Sequence, residues 1–234
     1  MPMNSLSSGY TALVIGATGT LGQAFQALIA ADPACSGVLA LSRSSCPDFD
    51  LRNPATLKTA LDSLNPAAPF SLVIDATGVL SADEAGPEKS LAAIRPSVLQ
   101  ELMQVNAFGP LMVLRELVPH LSRDRCIYGK LSARVGSISD NRLGGWYGYR
   151  ASKAALNMLL QTAAIELNRR LPGLVVAAMQ PGTVVSSLSR RFVSSATSTV
   201  SPEVAAGGLL QALDGLQAQP GAYFIDYRGQ SIAW

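Results

Sequence analysis

The sequence predicts an α/β protein with a doubly wound, parallel sheet of about seven strands between two layers of helices. Short apolar runs alternate with segments of helical periodicity along most of the 234 residues. The apolar runs are continuous rather than alternating, which is typical of strands that are buried on both faces. No linker, repeat or low-complexity tract divides the chain, so we expect a single domain over residues 1–234.

Seven apolar runs are predicted to be strands, because each is short, rich in aliphatic residues and set between polar or glycine-containing segments. They are residues 11–15, 37–41, 49–51, 71–76, 126–132, 174–179 and 222–227. The run at 49–51 is the shortest of them. Between them, apolar residues at helical spacing predict helices at 21–31, 56–64, 96–121, 149–171 and 202–216. The helix at 96–121 contains Pro110, where we expect a kink.

Residues 184–201 are rich in Ser, Thr and Val and lie between a predicted strand and a predicted helix. A long loop in this position could close over a substrate site. The alternative is an ordinary surface loop. We expect the former, with residues 184–201 as the substrate loop.

The composition excludes several classes of function. Hydrophobic residues make up 48% of the chain, charged residues 15%, and the net charge is +2, with no run of Lys and Arg that would indicate binding to nucleic acid or a membrane surface. No apolar run reaches the ~18 residues of a membrane span, and residues 1–10 do not resemble a signal peptide, so a cytoplasmic location is expected. Three cysteines without metal spacing and a single histidine, His120, argue against a zinc site or a Ser-His hydrolase. We expect no bound metal.

A glycine-rich turn follows the first predicted strand and opens the first predicted helix. In this context, glycines permit a tight turn, close approach of the backbone to a pyrophosphate and close packing of helix on sheet. The free N–H groups of the helix N-terminus then favour the phosphates. This pattern indicates a dinucleotide-binding site in a Rossmann fold. The residues expected to bind are Gly16, Thr18, Gly19, Thr20, Leu21 and Gly22.

The end of the second predicted strand carries Ser42 and Arg43 and no acidic residue. An acidic residue there would bind the ribose hydroxyls of NAD, whereas Arg43 could hold a 2′-phosphate. We therefore predict NADP(H), with NAD(H) less favoured; in the alternative, Arg43 is a solvated loop residue. Asp50 and Leu51 are expected to flank the adenine.

The end of the fourth predicted strand is also expected to pass close to the cofactor. It carries Ala76, Thr77 and Gly78, and Gly78 would permit close approach of backbone and ligand.

Tyr149 and Lys153 lie four residues apart in a predicted helix and therefore share one face. A free tyrosine titrates near a pH of about 10, and an adjacent ammonium group favours the phenolate and lowers the pKa. Such a tyrosine could give a proton to a carbonyl oxygen or take one from an alcohol. Plain aromatic packing with Trp146 and Tyr147 is the alternative, which the upstream glycine turn disfavours.

These residues together resemble the short-chain dehydrogenase/reductase family over nearly the whole chain. The matching motifs occur in the family's order: residues 16–22, 50–51, 75–78, Asn106, Tyr149 with Lys153, and 181–182. Residues 136–157 and the tail from 224 to 234 resemble the carbonyl reductases of the sniffer and C-factor group.

The resemblance implies a role for several residues. Tyr149 would be the catalytic acid or base, and Lys153 would hold the nicotinamide ribose and lower the pKa of the tyrosine. Asn106 would hold a water that relays protons to Lys153. Pro181, Gly182 and Thr183 would turn the chain beneath the nicotinamide, with Thr183 able to bond its carboxamide.

Two departures from the family pattern bear on the site. Thr20 stands where the family usually has a glycine, and Gly19 lies one position earlier, so the glycine count is kept. Ala133 stands where the subgroup spacing places the catalytic serine. Ser137, in the following loop, is the preferred substitute, and Ser132 is second because strand alternation would turn it away from the site that position 133 faces. The third alternative is that no serine serves.

The expected function is reduction of the carbonyl of a small or medium hydrophobic aldehyde, ketone or dicarbonyl by NADP(H). Val79, Leu80, the pair Trp146 and Tyr147, and the loop 184–201 would line its pocket. The alternative is an NADP(H)-binding signalling protein, like C-factor, with vestigial catalysis. An epimerase or dehydratase of the extended family is disfavoured, because the chain after Pro181 is short. The partner is expected to be a small carbonyl or alcohol substrate, and a homodimer or homotetramer would pair through helices 96–121 and 149–171.

Overall fold

The computed structural model describes residues 3–186 and 198–234, and the described residues form one six-stranded sheet. The strands are β1 (Tyr10–Ile15), β2 (Cys35–Leu41), β3 (Phe70–Asp75), β4 (Cys126–Leu131), β5 (Leu174–Gln180) and β6 (Tyr223–Asp226). They stand in the order β2-β1-β3-β4-β5-β6, and every pairing between them is parallel. The prediction of a doubly wound α/β fold is confirmed.

The order of the strands reverses at β1, which pairs with β2 on one side and β3 on the other. In open parallel sheets, the crevice at the carboxyl ends of such a pair of strands is where ligands bind. The fold therefore places a candidate site where the glycine-rich turn leaves β1.

The prediction of a strand at residues 49–51 is wrong, and the sheet formed by the described residues has six strands rather than seven. Phe49 and Leu51 are buried against the sheet, as their apolar character requires. Their backbone groups are used locally instead of in a ladder: the N–H of Phe49 donates to the carbonyl of Cys46, and the N–H of Asn53 to that of Asp50. The turns on either side leave too few residues in extended conformation to pair with β2.

In the part of the chain that the structure describes, six α-helices connect and cover the strands. They are α1 (Thr20–Ala30), α2 (Pro54–Asp62), α3 (Pro96–Met103), α4 (Gly109–Leu117), α5 (Tyr147–Asn168) and α6 (Pro202–Gly215). Two of them begin at a side-chain cap followed by proline: Asn53 accepts from the N–H of Ala55, and Ser201 from that of Val204. A capping side chain satisfies a helix N–H that has no partner inside the helix.

The single helix predicted at 96–121 is interrupted. A π-helical turn, Gln104–Phe108, separates α3 from α4, and a 3₁₀ turn, Val118–His120, follows α4. Pro110 has no N–H and cannot donate to the carbonyl of Asn106, four residues earlier, so regular α-helical bonding fails there. The expected irregularity exists, but it is a π turn on the N-terminal side of Pro110, and it contains Asn106.

Successive residues of each strand point to opposite faces of the sheet, and both faces are apolar. Helices α1 and α6 cover one face, packing residues such as Phe25 and Leu209 on Val14. Helices α2, α4 and α5 cover the other, packing residues such as Leu57 and Leu156 on Leu13. In the described parts of the chain, no helix is both long enough and apolar enough to cross a membrane.

Candidate active site

A cleft of about 660 Å³ opens at the carboxyl edge of the sheet. Its walls are the segments that follow β1 to β5 and the N-terminal part of α5. All residues expected from the sequence to bind the cofactor lie in this lining. They are Gly16, Thr18, Gly19, Thr20, Leu21, Gly22, Ser42, Arg43, Asp50, Leu51, Ala76, Thr77, Gly78, Tyr149, Lys153, Pro181, Gly182 and Thr183.

The glycine-rich turn leaves no room for side chains. Gly16 has a φ of +77°, and a Cβ there would lie 3.1 Å from the backbone of Ala76 and Thr77. A Cβ on Gly22 would lie 2.2 Å from the carbonyl oxygen of Gly16, because α1 packs directly on the turn. Gly19 stands at the N-cap of α1 and provides no side-chain cap, which leaves the first turn of the helix open to an anion. These features fit a pyrophosphate.

Beside this turn, Ser42 and Arg43 differ in how accessible their side chains are to a phosphate group. Ser42 is buried, and its hydroxyl lies 2.8 Å from the hydroxyl of Ser44 and accepts from the N–H of Ser45 at 3.3 Å. Arg43 is exposed and lines the cleft. Since Ser42 holds the turn together, Arg43 is the group better placed to meet a phosphate.

Tyr149 and Lys153 lie together in the cleft, as their spacing predicts. Tyr149 is 9% exposed, and its ring packs edge-on to Trp146 with the centroids 6.1 Å apart. Lys153 is 3% exposed; its Nζ donates to the carbonyl of Leu131 at 3.1 Å and lies 5.8 Å from the centroid of the Tyr149 ring. The two side chains thus share one wall of the cleft.

The electrostatics of this pair differ from the sequence expectation. Burial raises the pKa of Tyr149, although an adjacent ammonium was expected to lower it. Burial, and next the charge of Lys130, lower the pKa of Lys153 to about 7. Burial thus favours the neutral form of the lysine, which weakens its attraction for a phenolate.

Asn106 lies behind the cleft and is absent from its lining. It is fully buried: its Oδ1 accepts from the N–H of Val79 at 2.9 Å, and its Nδ2 donates to the carbonyl of Val79 at 2.8 Å and to the hydroxyl of Ser152 at 3.1 Å. A Cβ on Gly78 would lie 3.3 Å from Asn106 Oδ1 and 3.4 Å from Lys153 Nζ. Asn106 therefore ties the segment after β3 to α5, close to Lys153.

The geometry reverses the order of the two candidate serines. Ser137 lies outside the cleft lining, and its hydroxyl accepts from the N–H of Asp140 at 3.1 Å. Ser132 lines the cleft together with Ala133, and its hydroxyl donates to Asn157 Oδ1 at 2.7 Å. The N–H of Ser132 still donates to the carbonyl of Met179 on β5 at 2.8 Å, so the backbone continues the strand past Leu131, and both Ser132 and Ala133 belong to the lining.

Comparison with known proteins shows the family to which this chain belongs. A family model described as short chain dehydrogenase matches residues 10–196. The chain belongs to the short-chain dehydrogenase family.

Two relatives are similar in sequence to this short-chain dehydrogenase. The chain is 31% identical over 162 residues, 69% of this chain and 67% of the relative, to 1-hydroxy-2-glutathionyl-2-methyl-3-butene dehydrogenase of Rhodococcus sp. (strain AD45). It is 32% identical over 131 residues, 56% of this chain and 75% of the relative, to C-signal of Myxococcus xanthus.

Among solved structures, an NADPH-bound carbonyl reductase from chicken fatty liver superimposes with a TM-score of 0.81 at 24% identity, covering 98% of this chain and 100% of the other. The carbonyl reductase Sniffer of D. melanogaster superimposes with a TM-score of 0.79 at 18% identity, covering 97% and 99%. At these identities the two structures show a shared fold.

Sequence reasoning missed two buried charged residues around the site. Glu88 is 3% exposed; its carbonyl accepts from the N–H of Trp146 at 2.5 Å, and its Oε2 from that of Gly148 at 3.1 Å. It thereby caps α5, while Trp146 adopts a left-handed φ of 53°. Nothing local to α5 signals this cap, because Glu88 lies 60 residues before Gly148.

Lys130 is the second missed residue. It lies within the otherwise apolar strand β4 and is fully buried, forming an ion pair with Asp75 at 2.9 Å. The sequence could have indicated this ion pair, because Lys130 lies in a strand predicted to be buried on both faces. Buried lysines are rare unless they are paired.

We expect Gly22→Ala to weaken dinucleotide binding at least ~10-fold, because the new Cβ would push α1 away from the turn that it must abut. Gly37→Ala is the matched control, since a Cβ on Gly37 meets nothing within 4 Å. Dissociation constants for NADPH, measured by fluorescence titration, check this. Equal affinities of the two variants would contradict the assignment of the turn to the phosphates.

Proposed function

We propose that this short-chain dehydrogenase is an NADPH-dependent carbonyl reductase that acts on a small or medium hydrophobic aldehyde, ketone or dicarbonyl. The observation that carries the proposal is that Tyr149 and Lys153 line the same cleft as the glycine-rich turn. A nicotinamide cofactor, when bound, supplies the hydride. The protein then has to orient the reactants, exclude water and provide a proton for the carbonyl oxygen.

The preference for NADPH rests on charge at the end of β2. No carboxylate stands there to bind ribose hydroxyls, and Arg43 is exposed beside the open first turn of α1. A guanidinium group can bind a 2′-phosphate through two parallel hydrogen bonds. The chicken carbonyl reductase of the same fold is described as NADPH-bound, which agrees with this preference.

Tyr149 is the proposed proton donor. Burial raises its pKa, so the phenol holds its proton at neutral pH and can give it to an oxygen that becomes negative as the carbonyl is reduced. Lys153, with a pKa of about 7, is suited to binding a ribose hydroxyl and replacing that proton. Asn106 is proposed to hold a water that supplies Lys153 with protons; its contacts place it behind Gly78, near the Lys153 ammonium.

The substrate end of the cleft is mainly apolar. Val79, Leu80 and Trp146 belong to its lining as expected, whereas Tyr147 does not. Of the proposed substrate loop, residues 187–197 lie outside the described residues; Val184 and Ser186 line the cleft, and the isolated bridge between Val184 and Val200 closes the base of the loop. An apolar wall with few polar groups favours a hydrophobic carbonyl compound.

Arg134 adds charge to this end of the cleft, but its guanidinium group is already paired with Asp140 at 3.3 Å and with Asp226 at 3.6 Å. The two carboxylates offset the positive charge locally. We therefore do not assign an anionic substrate to Arg134.

Ser132 is proposed as the hydroxyl that meets the substrate oxygen. Of the two candidate serines, it is the one that lines the cleft, and it follows β4 directly. The side chain of Asn157, which accepts its hydrogen bond, comes from α5, the helix that carries Tyr149.

A second function is favoured by a separate observation. Ala133 lines the cleft where the family's serine is expected, and the chain is 32% identical over 131 residues to C-signal. In this alternative, the protein binds NADP(H) and acts through a partner, with vestigial catalysis.

We expect Tyr149→Phe to lower the turnover number for carbonyl reduction ~10²–10⁴-fold, because the proton donor is lost, while NADPH still binds through the other residues of the cleft. The measurement is NADPH oxidation over a panel of aldehydes, diketones and quinones, with a glutathionyl alcohol and NADP⁺ for the reverse direction. Tyr147→Phe is the matched control, since Tyr147 lies outside the cleft lining. NADPH binding without any turnover that depends on Tyr149 would instead support the signalling function.

We expect Arg43→Ala to raise the dissociation constant of NADPH ~10-fold and to leave that of NADH unchanged, because only NADPH carries the 2′-phosphate. Titration calorimetry with both cofactors measures this. Arg169→Ala provides a control, because Arg169 is an exposed arginine beyond the end of α5. A wild-type protein that binds NADH as tightly as NADPH would refute the preference.

We expect Ser132→Ala to lower turnover ~10²–10³-fold if its hydroxyl serves the substrate oxygen, while Ser137→Ala has little effect. Thermal unfolding of both variants separates catalysis from stability, because Ser132→Ala also removes a hydrogen bond to Asn157. Full activity of Ser132→Ala would exclude Ser132, and full activity of both variants would mean that neither serine takes part.

A further inference from the structure

A buried pair of opposite charges lies beneath the floor of the cleft. Asp75, the last residue of β3, and Lys130, on the neighbouring β4, both have fully buried side chains. Lys130 Nζ donates to Asp75 Oδ1 at 2.9 Å, to the carbonyl of Thr77 at 2.6 Å and to the hydroxyl of Thr77 at 2.9 Å. All three N–H groups of the ammonium are therefore used.

Packing does not require this arrangement. An ion pair buried in the centre of a sheet must offset the loss of hydration of both charges, and apolar residues of similar volume are often equally stable or better. The residues around the pair on β3 and β4 are apolar and buried, which is what a purely structural position would also carry. Asp75 Oδ1 also accepts from the N–H of Thr77 at 2.9 Å and from its hydroxyl at 2.6 Å, so the pair fixes the turn that precedes Gly78, beside Lys153.

The pair and Lys153 share the same short segments of backbone. Lys130 holds the carbonyl of Thr77, and the next residue, Gly78, approaches Lys153 so closely that a Cβ would lie 3.4 Å from its Nζ. On β4, the carbonyl of Leu131, which follows Lys130, accepts from Lys153 Nζ at 3.1 Å. The two ammonium groups are thus linked through Thr77–Gly78 and through Leu131.

Within residues 3–186 and 198–234, few other titratable groups face Lys153 from the elements around it. Tyr149 lies on its own helix, and Lys130 and Asp75 approach from β4 and β3. Tyr128 reaches Asp75 Oδ2 at 3.4 Å, and burial raises its pKa well above the usual value, so it stays neutral. Asn106 and Ser132, the other polar neighbours, carry no charge.

We propose that Lys130 and Asp75 are positioning residues that set the charge of Lys153 from beneath the cleft, with Lys130 opposing the ammonium form and Asp75 favouring it. The inference rests on the proposed function in that Lys153 is taken as the partner of Tyr149. It predicts that the protonation of the two buried lysines is coupled, so their proton releases belong to the pair.

The directions in which Lys130 and Asp75 shift the pKa of Lys153 agree with this proposal. After burial, the charge of Lys130 is the main cause that lowers the pKa of Lys153 to about 7, and Asp75 acts in the opposite sense. Burial also lowers the pKa of Lys130, while Asp75 raises it. Lys153 is thereby kept where it can both carry and release a proton near neutral pH, as a relay to Tyr149 requires.

The test is direct titration by NMR of the full-length protein labelled with ¹³C at lysine Cε, with and without NADPH. The chain has only four lysines, Lys58, Lys89, Lys130 and Lys153, so each signal can be assigned by substitution. The quantity measured is the pH at which the assigned signal of Lys153 titrates. This readout does not depend on turnover, so it can succeed or fail separately from the proposed reaction.

We expect Lys130→Met to raise the pH at which Lys153 titrates by about one unit or more, because Asp75 then faces Lys153 alone. Asp75→Asn should lower it by a similar amount, since two ammonium groups then lack a counter-charge. Should Lys130→Met fail to fold, the double variant Lys130→Met/Asp75→Asn leaves neither charge of the pair without its partner, and its Lys153 should release its proton at a higher pH than Lys153 in Asp75→Asn. Lys58→Met, which removes an exposed lysine paired with Asp62, is the control and should change nothing.

Shifts of opposite sign are the decisive result, because a loosened site that admits water would raise the release pH in both single variants. Shifts of the same sign, or none, would overturn the inference while leaving turnover dependent on Tyr149 intact. Opposite shifts in a protein without such turnover would keep the coupling of the charges and refute the reductase function.

Discussion

The all-parallel pairing of the strands is the constraint on which the rest of this structure depends. Parallel strands must be joined by crossovers, and these place helices on both faces of the sheet, so every strand is apolar on both sides. The same constraint brings the carboxyl ends of all six strands to one edge. Polar and glycine-rich segments that are distant in sequence meet there, and the cleft is the result.

The helix that carries Tyr149 and Lys153 is positioned by contacts from three distant segments. Glu88 caps its first turn, Asn106 bonds to Ser152, and Gly136 packs so closely that a Cβ would lie 2.9 Å from the backbone of Lys153. The π turn exists because Pro110 interrupts regular helical bonding, and it is also what contains Asn106. The π turn between α3 and α4 thus supplies a side chain, Asn106, that holds α5 in place.

The buried charges near the cleft affect the pKa values of the residues that line it. Burial alone would leave Tyr149 a weak acid and drive Lys153 towards its neutral form. The pair of Lys130 and Asp75 brings two opposite charges close to Lys153, and we propose that these two charges together set the protonation of Lys153. A short-chain dehydrogenase that needs a proton relay near neutral pH would benefit from such a balance, because small changes beneath the cleft would tune its pH range without touching the substrate.

The sequence by itself determined the features that depend on local bonding and periodicity. These are the apolar strands, the turn from Gly16 to Gly22 and the pairing of Tyr149 with Lys153 on one helical face, and every residue expected to bind the cofactor lies in the cleft. Only the tertiary structure decided the rest: residues 49–51 do not join the sheet, Ser132 rather than Ser137 lines the cleft, and Lys130 meets Asp75. These outcomes depend on where a strand ends and which side chains meet across the fold, and long-range contacts of that kind leave no periodic pattern in the chain.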